Sequence, residues 1–258
     1  MLARVVPALY IGYMRLVERT SRVVRIGYDE MLARRAAGAD LALVALHQNV
    51  FIAPMMVRGL GMLTMASVGD AGDIIEAMLR PCDIEAVRGG SSTRASRRTP
   101  VVREFLDRCS ELSEHGKLMT VITPDGSRGP AGAVKPGAVV LAMRTGAEMF
   151  CLHVHSSRSI YAPTWDRTEI PLPFGTIWVE LEGPIPIASR ATDTELEACR
   201  AEVERRLHAM HARAFARHGR EPLPPMTTLA SQAPRSSSAD SKADVHIEPP
   251  LLASGEEK

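Results

Sequence analysis

The feature that most constrains the fold is the alternation of short apolar segments with longer segments of helical periodicity. The strand-like segments are residues 40–47, 62–67, 84–89, 118–123, 148–156 and 176–187. Segments with apolar residues at helical spacing separate several of them, and a long amphipathic segment covers 193–219. Strands that alternate with helices in this way favour an α/β domain with a largely buried sheet. The sequence therefore predicts an α/β fold with a mixed, mostly parallel central sheet flanked by helices.

The two ends of the chain differ from this middle part. Residues 1–25 combine an apolar stretch, Val5 to Met14, with arginines that flank it. The pattern predicts an amphipathic helix, which either lies on an anionic membrane surface or packs as an ordinary N-terminal helix. The apolar stretch has about half of the ~20 residues that a membrane-crossing helix needs. Residues 221–258 are rich in Pro and Ser without periodicity, which predicts a disordered tail and leaves 26–220 for the α/β domain.

Composition narrows the functional classes. The 258 residues are 45% hydrophobic and 24% charged, as expected of a folded globular protein, and the formal net charge is only +1. This charge balance gives no electrostatic basis for a nucleic-acid partner. The cysteines, which are Cys82, Cys109, Cys151 and Cys199, form no Cys-x-x-Cys pair and have no histidine at zinc-like spacing. We therefore expect a reducing compartment, no metal and no other bound cofactor.

Three of the predicted strands end in polar residues that can do chemistry. In an open α/β sheet, ligands bind where the strands end. A histidine after a strand can act as a base or be structural, and a loop of glycines, hydroxyls and arginines can bind phosphate or be simply solvated. In the third segment a tight turn explains Asp-Gly but not the neighbouring cations. The candidate residues are His47 at the end of segment 40–47, Arg88, Gly89, Ser91 and Ser92 at or after the end of segment 84–89, and Pro124, Asp125, Gly126, Arg128 and Lys135 after segment 118–123.

The order of these blocks resembles the glycerolipid (lysophospholipid) acyltransferase superfamily, specifically its bacterial branch of domains of unknown function. The segment "ITPDGSRGP…VKPG" (122–137) is similar to the block of that branch that corresponds to the superfamily's Phe-Pro-Glu-Gly-Thr-Arg-Ser acceptor-binding motif. "VRGGSS" (87–92) resembles the second block, and "LHQN" (46–49) resembles the block that holds the catalytic histidine. "PLPFGTIWVELEGPIPI" (171–187) resembles the closing strands. The resemblance covers about 22–187 and implies an acyltransferase-like fold.

The resemblance also implies an activity. An acyl group would move from a coenzyme A or acyl carrier protein thioester to a hydroxyl of a lipid or saccharolipid acceptor, with His47 as general base. Arg88, Arg128 and Lys135 would bind an anionic group of the acceptor. Asp125, which replaces the usual Glu, would orient Arg128 or accept a hydrogen bond from the acceptor. The implied location is peripheral, on the cytoplasmic face of the cell membrane.

The sequence departs from the superfamily at the catalytic acid. The superfamily's histidine is followed, five positions on, by an Asp, and Ile52 stands there in this chain. The bacterial branch supplies its acid later, where this chain has "ASVGDAGDII" (66–75). Asp70 is favoured as the partner of His47 over Asp73, because Asp73 falls inside a helical pattern. If no carboxylate reaches His47, the alternative is a catalytically impaired lipid- or anion-binding protein that retains the fold.

The remaining histidines are weaker candidates. His153 and His155 alternate on one strand face, which could suit a metal, but no third ligand is apparent. We therefore expect them to line the core or the cleft. His208, His211 and His218 belong to the long C-terminal helix and are expected at the surface.

Overall fold

The fold is organised around a central sheet with helices on both faces. The computed structural model describes residues 2–66, 70–88, 98–116 and 118–221. The helices are α1 Leu2–Thr20, α2 Tyr28–Ala36, α3 Ala53–Met56, α4 Asp70–Leu79, α5 Arg98–Glu114, α6 Pro136–Thr145 and α7 Asp193–Ala216, with 3-10 turns at His47–Asn49 and Arg80–Cys82. The strands are β1 Arg22–Ile26, β2 Leu41–Val44, β3 Met62–Ala66, β4 Ile84–Arg88, β5 Met119–Ile122, β6 Glu148–Ser156, β7 Ser159–Tyr161, β8 Glu169–Pro171 and β9 Thr176–Ile185.

The main sheet has seven strands in the order β1-β9-β6-β2-β5-β3-β4, and β7 and β8 form a separate hairpin. The five strands from β6 to β4 are parallel to one another, whereas β9 is antiparallel to β6 and β1 is parallel to β9. This arrangement confirms the predicted mixed, mostly parallel α/β sheet. It places β2 between β5 and β6, so the loops that follow these three strands meet at one edge of the sheet.

The central strand shows why this sheet is apolar on both faces. Leu41 and Leu43 belong to a core cluster that includes residues of α1 and α3, while Ala42 and Val44 belong to a second cluster with α6 and α7. Successive side chains of a strand point to opposite faces. Because helices cover both faces, every side chain of β2 is buried, which explains its nearly continuous apolar sequence.

The sheet is least continuous between β3 and β5. These strands pair at one register position, Leu63 opposite Thr120, whereas β3 and β4 pair at five. One position further on, the Thr64 hydroxyl donates to the carbonyl oxygen of Val121 at 2.6 Å in place of a ladder bond. The carboxyl ends of β3 and β5 are therefore not joined by backbone hydrogen bonds.

The N-terminal segment corrects the predicted helix of residues 1–25. The helix ends at Thr20, and 22–26 form an edge strand that pairs with β9. Within α1, Tyr10, Met14 and Val17 are buried against the core. The sequence of β1 contains two adjacent valines, which suit a strand better than a helix because of their branched side chains. None of the described helices has both the length and the apolar character needed to cross a membrane.

Residues 48–61 are also less helical than their spacing indicates. They contain the end of a 3-10 turn and a single short helix, α3. The side chain of Asn49 bonds both the N–H and the C=O of Val154 on β6, at 3.1 and 2.9 Å, which fixes the turn to the sheet. The predicted disordered tail lies outside the described residues, except for Glu221.

Candidate active site

His47 lies at the carboxyl end of β2, where the loops after β5 and β6 converge. It begins the 3-10 turn His47–Asn49, and its side chain is 24% exposed. The loop after β5 supplies Asp125, and the connection from β7 to β8 supplies Asp166. Two carboxylates from opposite sides of β2 therefore reach the same histidine, one at its backbone and one at its ring.

The ring of His47 is held by Asp166. Nδ1 of His47 lies 2.7 Å from Oδ2 of Asp166, whose side chain is 2% exposed. The hydroxyls of Thr164 and Thr168 donate to Oδ1 of Asp166 at 2.5 and 2.9 Å, and the Thr168 backbone N–H donates to the same oxygen at 3.2 Å. Asp166 is thus a buried carboxylate whose orientation is set by its own loop.

The ionisation of Asp166 decides the tautomer of His47. Burial by itself raises the pKa of Asp166, but the hydrogen bonds from His47, Thr164 and Thr168 outweigh it and lower the pKa to about 2. An ionised carboxylate can only accept hydrogen bonds, so Nδ1 of His47 carries the proton. In the neutral imidazole Nε2 is then the basic nitrogen. Nε2 has no hydrogen-bond partner among the described residues, and the His47 side chain lines a cavity.

Asp125 holds the backbone of the site. It is 1% exposed, and its Oδ1 accepts the His47 backbone N–H at 2.9 Å while its Oδ2 accepts the Gly132 N–H at 3.3 Å. Burial raises the pKa of Asp125, and these two backbone hydrogen bonds compensate only in part. Oδ1 of Asp125 therefore ties the loop after β5 to the histidine turn, while Oδ2 holds that loop to itself at Gly132.

The loop after β5 is packed closely against the loop that carries Asp166. Gly129 has φ +65°, and a Cβ placed there would lie 2.7 Å from Cε3 of Trp165. The Trp165 ring lies 5.0 Å from the His47 ring, centroid to centroid. From the other side, α7 contacts the loop through Glu204, which accepts the Val134 N–H at 2.8 Å. These contacts leave little freedom to the segment that borders His47.

A cavity of about 690 Å³ opens beside His47. It lies at the gap between the carboxyl ends of β3 and β5 and is lined on both sides of that gap, by Thr64, Met65 and Ala66 and by Val121, Ile122 and Thr123. Apolar side chains from α1, α3 and α4 line much of the remainder, among them Tyr10, Pro54, Met78 and Leu79. A cavity of this size with mostly apolar walls suits an apolar ligand such as a hydrocarbon chain.

Among the described residues that line the cavity, the charged side chains are all cationic. Arg128, Lys135 and Arg144 line it, and no described Asp or Glu does. Arg128 and Lys135 are exposed, and neither forms an ion pair with a described residue. Lys135 Nζ lies beside the turn, because a Cβ at Gly126 would be 2.9 Å from it. The sequence-predicted residues Pro124, Gly126, Arg128 and Lys135 are thus brought together with His47, while their role in binding stays a prediction.

Arg88 lies at the predicted strand end but does not line the cavity beside His47. It lies at the end of β4, where its guanidinium pairs with Asp73 at 2.5 Å and with Glu76 at 3.7 Å, both on α4. Asp73 is therefore engaged by an arginine. Gly89, Ser91 and Ser92 lie outside the described residues.

Asp70, the favoured partner of His47, is the first residue of α4, and its side chain is outside the described part of the chain. The structure places a different carboxylate, that of Asp166, on Nδ1 of His47. Ile52, five positions after His47, is completely buried in the core. Asp166 is the residue that sequence reasoning missed, although "TWDRT" (164–168), with a hydroxyl two positions on either side of an Asp, is a local signal for a fixed carboxylate.

Four other histidines, His153, His155, His211 and His218, lie close together between α7 and the sheet. His153 and His155 are 1% and 3% exposed, as expected for core residues, and neither ring nitrogen of His153 has a described partner. His208 is exposed, but His211 and His218 are half-buried, which corrects their expected surface position. Among the described residues, no group of three or more His, Cys, Asp and Glu side chains is arranged to hold a metal ion.

Comparisons with known proteins give distant similarities. No family model matches the sequence. The chain is 24% identical over 190 residues to the uncharacterised protein RP090 of Rickettsia prowazekii (strain Madrid E), which covers 73% of this chain and 84% of that protein. Among solved structures, it is similar to the 1-acyl-sn-glycerophosphate (LPA) acyltransferase PlsC from Thermotoga maritima, with 17% identity, a TM-score of 0.47, and coverage of 80% of this chain and 81% of that one.

Proposed function

We propose that the protein is an acyltransferase that moves an acyl group from a thioester donor to a hydroxyl of a lipid-like, anionic acceptor. The observation that carries the proposal is the His47–Asp166 pair, because His47 lines a largely apolar cavity that also contains cationic side chains. A histidine that is oriented by a buried carboxylate and lines a ligand cavity can act as a general base, and the cavity offers room for a hydrocarbon chain next to it. Two of the sequence blocks that resemble the glycerolipid acyltransferases, 46–49 and 122–137, contribute residues to this same site.

The proposed reaction uses one nitrogen of His47 throughout. Nε2 removes the proton from the acceptor hydroxyl as its oxygen attacks the thioester carbonyl, so a C–O bond forms and the carbonyl oxygen becomes negatively charged. Asp166 stabilises the imidazolium that results, because Nδ1 already donates to its carboxylate. The C–S bond then breaks, the carbonyl re-forms, and the leaving sulfur takes the proton back from Nε2. The products are an ester and a free thiol.

In this proposal, two cationic side chains of the cavity bind the negatively charged group of the acceptor. Arg128 and Lys135 lie in or next to the turn beside His47 and have no ion-pair partner among the described residues. An arginine fork and a lysine ammonium suit a phosphate or carboxylate close to the reacting hydroxyl. Asp125, whose oxygens both accept backbone N–H groups, supports the turn in this scheme.

Helix α1 supports a further part of the proposal, that the protein works at an anionic membrane surface. Val5, Leu9 and Leu16 are 44%, 68% and 50% exposed. At 100° per residue these three fall on one face, opposite the buried Tyr10 and Met14. Exposed arginines at 15 and 19 flank this apolar face. Co-sedimentation with vesicles of anionic lipid tests the idea, and unchanged binding after Leu9→Ser with Leu16→Ser would exclude this face.

The activity is tested by measuring acyl transfer from acyl-coenzyme A and acyl-carrier protein to a panel of lysolipids and saccharolipid acceptors. We expect His47→Ala to lower kcat by about 10²- to 10⁴-fold, the usual contribution of a general base. His115→Ala is the matched control, because His115 is exposed on the turn after α5 and should leave the rate unchanged. Wild-type protein without turnover on any pair, or full activity in His47→Ala, would contradict the proposal. Retained lipid binding without turnover would favour the alternative, a non-catalytic lipid- or anion-binding protein.

A further inference from the structure

The cavity has a cation far from the residues proposed to bind the acceptor. Arg144 lies in the last turn of α6, whereas Lys135 caps the start of that helix. Gly137, Val140, Leu141 and Arg144 all line the cavity and recur every three or four residues, so one face of α6 follows it. At about 1.5 Å per residue, Lys135 and Arg144 are separated by about 13 Å along the helix.

Arg144 differs in its surroundings from the arginines of the neighbouring helix. On α7, Arg200, Arg205 and Arg206 each bind a glutamate of their own helix. Arg144 is exposed and makes no hydrogen bond or ion pair with a described residue. No described carboxylate lines the cavity either. The guanidinium is therefore available to an anionic group of a ligand that extends along α6 from His47.

The length of the ligand distinguishes the two substrates of the proposed reaction. A lysolipid acceptor has its phosphate within a few bonds of the reacting hydroxyl, so Arg128 and Lys135 can bind it next to His47. A thioester donor has its phosphate at the other end of a long, uncharged pantetheine arm. With the thioester at His47, only the donor has an anion that reaches about one helix length away.

We propose that Arg144 binds the phosphate of the 4′-phosphopantetheine group, which is common to coenzyme A and acyl carrier protein donors. This inference rests on the proposed acyl transfer from a thioester. In the proposed complex with the donor, the pantetheine arm lies along the Gly137–Arg144 face of α6. The acyl chain enters the apolar part of the cavity near Tyr10, Met78 and Leu79. Arg144 is then a specificity residue for the donor, and Arg128 acts on the acceptor.

The test compares the binding of 4′-phosphopantetheine and unphosphorylated pantetheine by calorimetry. We expect wild-type protein to prefer the phosphorylated compound by about 10- to 100-fold, the usual effect of a charged hydrogen bond. Arg144→Gln should bring the ratio close to one without weakening pantetheine itself, and Arg144→Lys should retain part of the preference. Arg190→Gln is the matched control, because Arg190 is exposed and does not line the cavity. A wild-type ratio near one, no binding of either compound, or an unchanged ratio in Arg144→Gln would overturn the inference.

Kinetics separate this inference from the proposed function. In Arg144→Gln we expect the donor KM to rise by about 10-fold or more for both acyl-coenzyme A and acyl-carrier protein, with the acceptor KM unchanged. A rise confined to acyl-coenzyme A would indicate its nucleotide phosphates instead and would refute the shared phosphate site. If the phosphate preference depends on Arg144 but no acceptor is acylated, the donor site stands and the proposed transfer fails.

Discussion

Replacing Asp166 by Asn removes the charge that faces His47 and nearly preserves the size of the side chain. The amide can still accept from Thr164 and Thr168 through its oxygen. It can also direct an N–H group at Nδ1 of His47, which would shift the ring proton to Nε2. The substitution therefore attacks both functions assigned to Asp166, which are to select the tautomer and to stabilise the imidazolium.

The size of the effect follows from the pKa of Asp166. It is lowered from 3.8 to about 2 although burial raises it, and at 1.36 kcal/mol per pKa unit the difference is about 2.5 kcal/mol. Thr164 and Thr168 contribute part of this difference and still donate to the amide oxygen, so the share that is lost with the charge in the transition state lowers kcat by at most about 70-fold. Selection of the wrong tautomer adds to this, and the corresponding change in a serine-protease triad costs about 10⁴-fold. We expect a loss of kcat between about 10²- and 10⁴-fold, with little change in either KM.

The assay is the initial rate of acyl transfer at saturating donor and acceptor, with circular dichroism to show that the variant is folded. Asp70→Asn is the matched control, because Asp70 is the carboxylate that the sequence favours as the partner of His47. If Asp166→Asn keeps more than a third of wild-type kcat while Asp70→Asn loses activity, the assignment of Asp166 is refuted. Equal losses in both variants would show that His47 depends on two acids.

Two further predictions concern stability. In urea unfolding, Gly129→Ala should lower the free energy of unfolding by about 1–3 kcal/mol more than Gly146→Ala. Both glycines have φ near +65°, but only a Cβ at 129 would meet the Trp165 ring, at 2.7 Å. Equal losses in the two variants would exclude the clash as the cause. Lowering the pH from about 6.5 to 4 should destabilise the fold. Burial lowers the pKa of His211 to about 4 and that of His153 well below its ordinary value. As the pH falls, these imidazoles are therefore protonated in the unfolded chain before they are protonated in the folded one, which favours unfolding. His211 alone accounts for up to about 3 kcal/mol of this loss, and a pH dependence that is undiminished in His211→Gln would refute the assignment.

The elements that were predicted well from the sequence are the strands whose local pattern indicates burial on both faces of the sheet. The apolar runs of β2 and β6 were predicted because a strand covered by helices on both faces has few polar positions. Strand β1 was missed because it directly follows α1, and its two valines stand between arginines at a sheet edge. β7 and β8 were missed because three-residue strands carry too little periodicity to recognise.

In the candidate site, too, some positions could be predicted from the local sequence and others depended on tertiary packing. His47, Pro124, Arg128 and Lys135 follow predicted strands, and the parallel order of those strands was enough to expect them at one edge. The guanidinium of Arg88 was expected there too, but pairing with Asp73 depends on how α4 packs beside β4, which no local pattern reports.

By itself, the sequence determined the α/β class, and it predicted the strands that carry the candidate site and His47 as its histidine, because each of these depends on a short stretch of neighbouring residues. Only the tertiary structure decided which carboxylate meets the imidazole. Asp166 lies 119 positions from His47 and reaches it because β6, which leads to its loop, is the parallel neighbour of β2. Strand order arises from the packing of the whole sheet, so a partner chosen by strand order cannot be found from the spacing of residues around the histidine.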